Sequence, residues 1–294
     1  MTKFDHDLIF LASENARAKI RDMSFILKKS PQRLKYSLAT IEKEGVIHNE
    51  HCIFDYSYFG LILFRVYFKG GYISERDKIN IIKKLSANPY IVSMYELSGE
   101  FDLVIELGSP NPSRFNKELK KIAELIPTLN NYKILLNLVT HVYSKNYLIK
   151  DTSINAPEQD IIIGGDRGVE VFNKNEMKVM KNLLDEPKIR RSKLAKLSDI
   201  NVKTAVSITK DLRERRIIKG FKYIIDTNKL GINKVRLFIR FHNVSQEREN
   251  QLMNYMMKTK EVVQVNKTVG DWDMEVDIES FDKIKIRYNI IQIR

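Results

Sequence analysis

The sequence predicts an α+β protein made of two copies of a winged helix-turn-helix, each followed by a ferredoxin-like βαββαβ sandwich, the second sandwich C-terminally truncated. Two observations carry this. A shift of 171 positions lays Asp55 on Asp226, Gly60 on Gly231, Arg65 on Arg236, Gly99 on Gly270 and Asp102 on Asp273 without a gap. A common offset held over such a span is the signature of an internal repeat. Within each copy the apolar spacing also changes from helical to strand-like at the same place. The expected boundaries are 1–54 and 173–225 for the helix-turn-helix units, 55–146 and 226–294 for the sandwiches, and 147–172 for a linker.

In the first copy, Leu8 to Leu11 opens a short helix and Ala18 to Leu27 a second. Ser30-Pro31 supplies an N-cap and a first-turn proline for a third,. Leu34, Leu38 and Ile41 form one face of that helix, Gly45 ends it, and Val46 to Phe54 reads as a hairpin wing,. The second copy repeats the order with helices at Glu176–Leu184, Ser192–Leu197 and Asn201–Arg215, and a wing at Ile217–Ile225.

The strand and helix periods that follow are Leu61–Phe68, Ser74–Ala87, Ile91–Leu97, Asp102–Leu107, Ser113–Ile126 and Ile134–Tyr143. Their order, βαββαβ, places two helices on one face of an antiparallel sheet. Lys234–Phe241, Gln246–Thr259, Val262–Thr268 and Asp273–Ile278 restart the series. Arg294 aligns with Ala123, so the last strand of the second sandwich is expected to be missing and its second helix incomplete. Between the copies, Lys150 to Asp160 with Pro157 reads as a linker, and Ile161–Ile163 with Val169–Phe172 as a β-hairpin about Gly164-Gly165,.

Composition narrows the function. With 43% hydrophobic and 30% charged residues over 294 positions, the chain can build packed cores,. A net charge of +13 favours polyanionic partners,. The lone Cys52 excludes an internal disulfide framework or a zinc knuckle and suits a reducing cytoplasm,. No signal peptide or apolar run of membrane-spanning length is seen, so no membrane association is expected,. Phosphate-binding glycine loops, the H-E-x-x-H metal motif and a nucleophile elbow are absent, so no catalytic set, metal or cofactor is expected,.

The chain resembles the leucine-responsive regulator/AsnC family, also called feast/famine regulators. The first copy does so through Ile41-Glu42-Lys43-Glu44-Gly45-Val46-Ile47, then Phe59-Gly60 and the turn Gly99-Glu100-Phe101-Asp102. The second does so through Leu212-Arg213-Glu214-Arg215-Arg216-Ile217-Ile218, Leu230-Gly231 and Gly270-Asp271-Trp272-Asp273. It departs from the family in fusing two copies, in its truncated end, and in placing Arg216 where Gly45 ends the first recognition helix. The resemblance implies a cytoplasmic transcriptional regulator that binds double-stranded DNA, responds to an amino acid or similar small molecule, and pairs its sandwiches within or between chains, as a homo-oligomer.

A recognition helix offers the exposed side chains of its leading turns to the major groove. With the apolar face inward, this leaves Gln32, Arg33, Tyr36 and Ser37 in the first copy and Lys203, Thr204, Ser207 and Lys210 in the second. From Lys174 to Lys222 there are 15 lysines and arginines against 6 acidic residues, whereas Lys3 to His51 has 9 against 7. Clustered cations release counterions from duplex DNA, so the second copy is expected to be the main electrostatic grip, through Arg213, Arg215 and Arg216. In the family, the glycine turn between the second and third strands borders an effector site. That would assign ligand binding to Gly99, Asp102, Gly270 and Asp273, with the aspartates pairing an ammonium group. The plainer reading is a tight hairpin in which each aspartate bonds local backbone. Two rival functions remain. Sirohaem decarboxylases pair the same modules, and would need proton donors among His6, His48, His51, His141 and His242,. A scaffold or RNA-binding role lacks an aromatic pair on an open sheet.

Overall fold

Helices of the first unit are α1 (His6–Glu14), α2 (Ile20–Leu27) and α3 (Pro31–Lys43) in the computed structural model, which describes residues 4–70, 74–126, 131–151, 154 and 161–294. Ser30 Oγ accepts the Arg33 N–H at 3.3 Å and so caps α3, while Leu34 and Ile41 are buried beneath it,. The second unit is built alike. α6 (Lys174–Asp185) starts in a capping box between Asn173 and Glu176,. α7 (Arg191–Ser198) and α8 (Val202–Glu214) follow, and Asn201 Oδ1 accepts the Thr204 N–H at 2.7 Å. Lys28 and Asp199, 171 positions apart, both end a helix in the left-handed region, at φ 51° and 58°.

Neither wing is a hairpin. β1 (Ile47–Phe54) and β7 (Ile218–Ile225) pair with each other, antiparallel, from Ile47↔Ile225 to Phe54↔Ile218. Each copy supplies one strand with an unpaired edge, and the two edges satisfy one another. The Asp55 N–H donates to Ile217 O and the Asp226 N–H to Val46 O, both at 2.9 Å, so positions 171 apart make reciprocal bonds. One core runs under this ribbon from Leu8, Phe10, Leu34 and Ile41 to Val179, Leu183, Leu194 and Leu212. The two helical units are therefore a single packed body.

The strand-rich parts also merge. β2 (Ile62–Lys69), α4 (Glu75–Ser86), β3 (Ile91–Glu96), β4 (Leu103–Ser109), α5 (Pro112–Ala123) and β5 (Asn131–Val142) form the first half. β8 (Asn233–Ile239), α9 (Gln246–Lys258), β9 (Val262–Val269), β10 (Met274–Ser280) and α10 (Lys283–Ile293) form the second. The sheet order is β3-β4-β2-β5-β9-β10-β8, continuous through β5 and β9, which pair from Leu136↔Val269 to Val142↔Gln264. The sandwiches thus pair within one chain. The second helix of this half was expected to be incomplete, but α10 runs eleven residues against twelve in α5, so that helix is formed almost in full.

Alternation in the strands splits the two faces. Phe64, Val66 and Phe68 of β2 pack under α4 and α5, and Met274, Val276 and Ile278 of β10 pack under α9 and α10. Arg65, Tyr67, Glu275 and Asp277 turn to the opposite face and are also buried, because the sheet folds back on itself there. Tyr67, Phe101, Val104, Leu135 and Trp272 form its apolar centre, with Phe238 packed against them.

The segment between the copies differs from expectation. Most of Lys150 to Asp160, including Pro157, lies outside the described residues. Ile161–Ile163 forms β6 (Ile161–Gly164), which adds to β5 at Val139↔Gly164 through Val142↔Ile161. Val169–Phe172 is not a strand, and the Glu170 N–H donates to Tyr58 O instead, so the hairpin is only half formed. Gly164 sits at φ 87°, and a Cβ there would lie 2.5 Å from Tyr56 Oη, which favours glycine at this turn,.

Candidate nucleic-acid interface

Two helices reach solvent with polar leading turns. On α3, Gln32, Arg33 and Tyr36 are exposed, Tyr36 at 67%, and Ser37 is half-buried. On α8, Lys203, Ser207 and Lys210 are exposed and Thr204 is half-buried, with Lys210 3.4 Å from Glu214. The turn after α8 keeps the shape of its counterpart despite the missing glycine. Gly45 has φ 65° and Arg216 φ 60°, so an arginine is held in the left-handed region at a penalty of about 1 kcal/mol,. Its side chain is thereby exposed.

The basic residues of the second unit fall into two groups. Arg215 is surrounded by carboxylates: it pairs with Glu170, with Glu176 at 2.6 Å and with Asp211 at 2.8 Å. Those hydrogen bonds, to Glu170 first, raise its pKa further. Its guanidinium is committed inside the unit, the alternative to gripping phosphate. Lys219 pairs with the buried Asp55 at 3.1 Å and Lys222 with Glu14 of α1 at 2.7 Å, both between the two copies. Part of the charge asymmetry between the copies is therefore spent joining them. Arg190, Arg191, Lys203, Arg213 and Arg216 are exposed, and no ion pair among the described residues engages them. Burial, with repulsion from Arg191 and Arg213, lowers the pKa of Arg17, which donates to Ile189 O at 2.8 Å and lies over the Phe221 ring at 4.8 Å. Arg17, Arg191 and Arg213 thus share one positive patch drawn from both copies. Only this spatial convergence, invisible in a linear count, adds Arg17 to the basic surface.

The glycine turns are arranged as hairpins. Gly99 and Gly270 have φ 140° and 152°, and a Cβ on Gly270 would meet Ile134 O at 2.9 Å. Asp102 accepts the Gly70 N–H at 2.9 Å, and Asp273 accepts the Phe241 N–H at 2.7 Å. Both carboxylates tie the end of their sandwich's first strand to its third, bonding backbone 32 positions away rather than within the turn itself. The Phe101 and Trp272 rings, 5.9 Å apart, lie within the packed aromatic centre. The histidines do not converge on one cavity either. His6 stacks on Phe281 at 4.9 Å, His51 bonds Asn49 O at 3.1 Å, and His141 lies beside Tyr143 on β5. Burial lowers the pKa of all three. Cys52 is buried, and burial pushes its thiol up to about 12. Among the described residues no group of His, Cys, Asp and Glu could hold a metal, and no helix is long and apolar enough to cross a membrane.

Comparison with known proteins agrees with these modules. No family model matches the chain. The HTH-type transcriptional regulator FL11 of Pyrococcus horikoshii is 26% identical over 155 residues, which are 51% of this chain and 97% of that protein. FL11 of Pyrococcus furiosus is 28% identical over 110 residues, 37% of this chain and 72% of the relative. Among solved structures, the siroheme decarboxylase NirDL superposes on 98% of this chain and 85% of its own with a TM-score of 0.56 at 13% identity, a likeness of fold alone. The class these features define is that of helix-turn-helix transcriptional regulators. Both sequence relatives bear that description, HTH-type transcriptional regulator, and are what this chain is similar to.

Proposed function

We propose that the chain is a DNA-binding transcriptional regulator of tandem origin, whose two winged helix-turn-helix units form a built-in pair. α3 and α8 are its recognition helices, with Gln32, Arg33 and Tyr36 offered to base edges on one side and Lys203, Ser207 and Lys210 on the other. Arg213 and Arg216, with Arg17 and Arg191 nearby, grip phosphate. The observation that carries this is the exposure of equivalent polar helix faces on two units locked by the β1–β7 ribbon. Further support is that FL11, matched over 97% of its length, accounts for 51% of this chain, about one copy. The domains divide as 1–54, 55–146, 173–225 and 226–294, and the strand-rich half serves as the pairing module.

Mapping bound DNA across the genome, then footprinting the strongest site, tests the proposal. Protection that is lost when Gln32, Arg33 and Lys203 are replaced together by alanine is the expected result. Absence of any protected site would overturn it. The whole-chain fold likeness to NirDL favours testing an enzymatic reading alongside. Incubation with siroheme should leave its absorbance spectrum unchanged if the chain is not a decarboxylase.

A further inference from the structure

The two helical units meet at two seams related by the shift of 171 positions, and the seams are opposite in charge. At one, Lys188 pairs with Glu42 of α3 at 3.3 Å. Tyr223 Oη donates to Glu42 Oε1 at 2.6 Å, and Lys188 donates to the same hydroxyl and lies 5.1 Å from the ring centre. A cation, a carboxylate and a phenol thus close that seam. At the other seam the equivalent positions hold Arg17, Arg213 and Cys52, and Arg191 stands where the first copy has Ile20. A guanidinium has replaced the closing carboxylate.

The surroundings of the two cations differ accordingly. Burial lowers the pKa of Lys188, but its bond to Tyr223 and the charge of Glu42 outweigh this and raise it. Burial also lowers the pKa of Arg17, and there Arg191 and Arg213 add to the fall. Cys52 is no counter-ion, because burial pushes its thiol up to about 12. No ion pair among the described residues engages Arg17, Arg191 or Arg213. Like charges gathered in this way repel one another until an anion joins them.

We infer that Arg17, Arg191 and Arg213 form one oxyanion site, built from both copies and present at one seam only, that takes a single phosphate group. The phosphate does at this seam what Glu42 does at the other. Arginine forks match its oxygens bidentately. Arg17 is half-buried and held in place by its 2.8 Å bond to Ile189 O and by the Phe221 ring, whereas Arg191 and Arg213 are exposed and free to close on a ligand. α7 begins beside them, and its N-cap Arg190 forms no side-chain cap, so its first amides are open to the same anion,. Two sources present this chemistry. A backbone phosphate of duplex DNA rests on the function proposed above, and a free phosphate does not.

The test uses the full chain and two probes. In the first, inorganic phosphate replaces chloride at constant ionic strength, and calorimetry reads the melting temperature. Phosphate stabilises folded proteins in general, so the quantity of interest is the rise in excess of that in Arg17→Met. An excess of about 2 °C or more is expected. Arg213→Glu, which copies the Lys188–Glu42 pairing, should raise the melting temperature in chloride and abolish the excess. In the second, single phosphates of a bound duplex are replaced in turn by neutral methylphosphonates. One position, on one side of the centre only, should weaken wild-type binding by about tenfold and leave Arg17→Met binding no weaker than before. Such a position identifies DNA as the source, and a phosphate excess without one identifies free phosphate, even in a chain that binds no DNA. Neither effect, in a chain that does bind DNA, would overturn the inference and leave the proposed function standing. An Arg213→Glu chain that responds to phosphate as the wild type does would also overturn it.

Discussion

Arg65 and Arg236, equivalent residues of the two copies, aim at the same hydroxyl: Arg236 Nη1 lies 3.1 Å from Tyr67 Oη and Arg65 Nη2 3.5 Å. Around them the folded sheet encloses Glu106, Glu275, Asp277 and Glu279, matched by the two arginines with Lys145 and Lys234. Burial opposes the charge on Arg65, but Glu106 and Glu275 more than restore it and raise its pKa. Replacing Arg65 by Met leaves the Glu106 and Glu275 carboxylates without their cation, which is expected to cost about 3–5 kcal/mol,. Tyr67→Phe keeps every ion pair and should cost about 1 kcal/mol. Urea unfolding of the two variants measures both, and equal losses would mean that the network contributes little.

Acid sensitivity follows from one buried histidine, His6, and two half-buried ones, His51 and His141. Burial, with Lys150 adding to it, lowers the pKa of His6, and burial is likewise the first cause for His51 and His141. A histidine with a depressed folded pKa takes up its proton more readily when unfolded, so its stability is full above about pH 6.5 and lost as pH falls below that. The urea midpoint should drop between pH 7.5 and pH 5.5, and less so in His6→Phe. Asp277 behaves on a lower range. Burial pushes its pKa up, but Arg236 and Lys234 outweigh this and hold it below the ordinary carboxylate value. Its contribution should disappear only below about pH 4.

Arginines in and around the last turn of α8 should separate into two kinds. Arg213→Ala and Arg216→Ala should weaken binding to every duplex and reduce the salt slope by about one for each phosphate no longer neutralised. Arg215→Ala should leave that slope intact and lower stability instead, because it strands Glu170 and Glu176. Titrations at several salt concentrations, paired with thermal melts, distinguish them. A flattened slope in Arg215→Ala alone would reverse the assignment.

The two glycine-turn aspartates should behave as structural residues. Asp273→Ala removes the acceptor of the Phe241 N–H, a bond to a charged group worth about 1.5–3 kcal/mol,. Any shift of the melting temperature by added amino acids should persist in this variant. Loss of such a shift, with folding retained, would return Asp273 to a ligand site.

Much of the fold is legible in the sequence because local rules act alone there. Ser30 and Asn201 cap their helices by the side-chain chemistry that makes them recognisable, and the offset of 171 predicts pairings as reciprocal as those of Asp55 and Asp226. The wings were not legible. β1 and β7 each look like half of a local hairpin, and only the approach of the two units decides that they pair with each other. The run Met274 to Ser280 has the alternation of a half-exposed strand, yet every residue is buried. Its carboxylates are paired by cations that lie far off in the chain, such as Arg236 and Lys145. The commitment of Arg215 is hidden for the same reason: two of its three partners, Glu170 and Glu176, come from outside α8, so a charge count does not tell it from Arg213.

The β1–β7 ribbon has a consequence for any site the protein reads. A regulator that must first dimerise loses its grip as its concentration falls, and identical subunits demand a palindrome. On the proposed reading the two recognition helices are halves of one molecule and carry different side chains, Gln32 and Arg33 in one and Lys203 and Thr204 in the other. Occupancy should then scale with the first power of protein concentration. Its operators are free to be lopsided, each half-site drifting in sequence independently of the other.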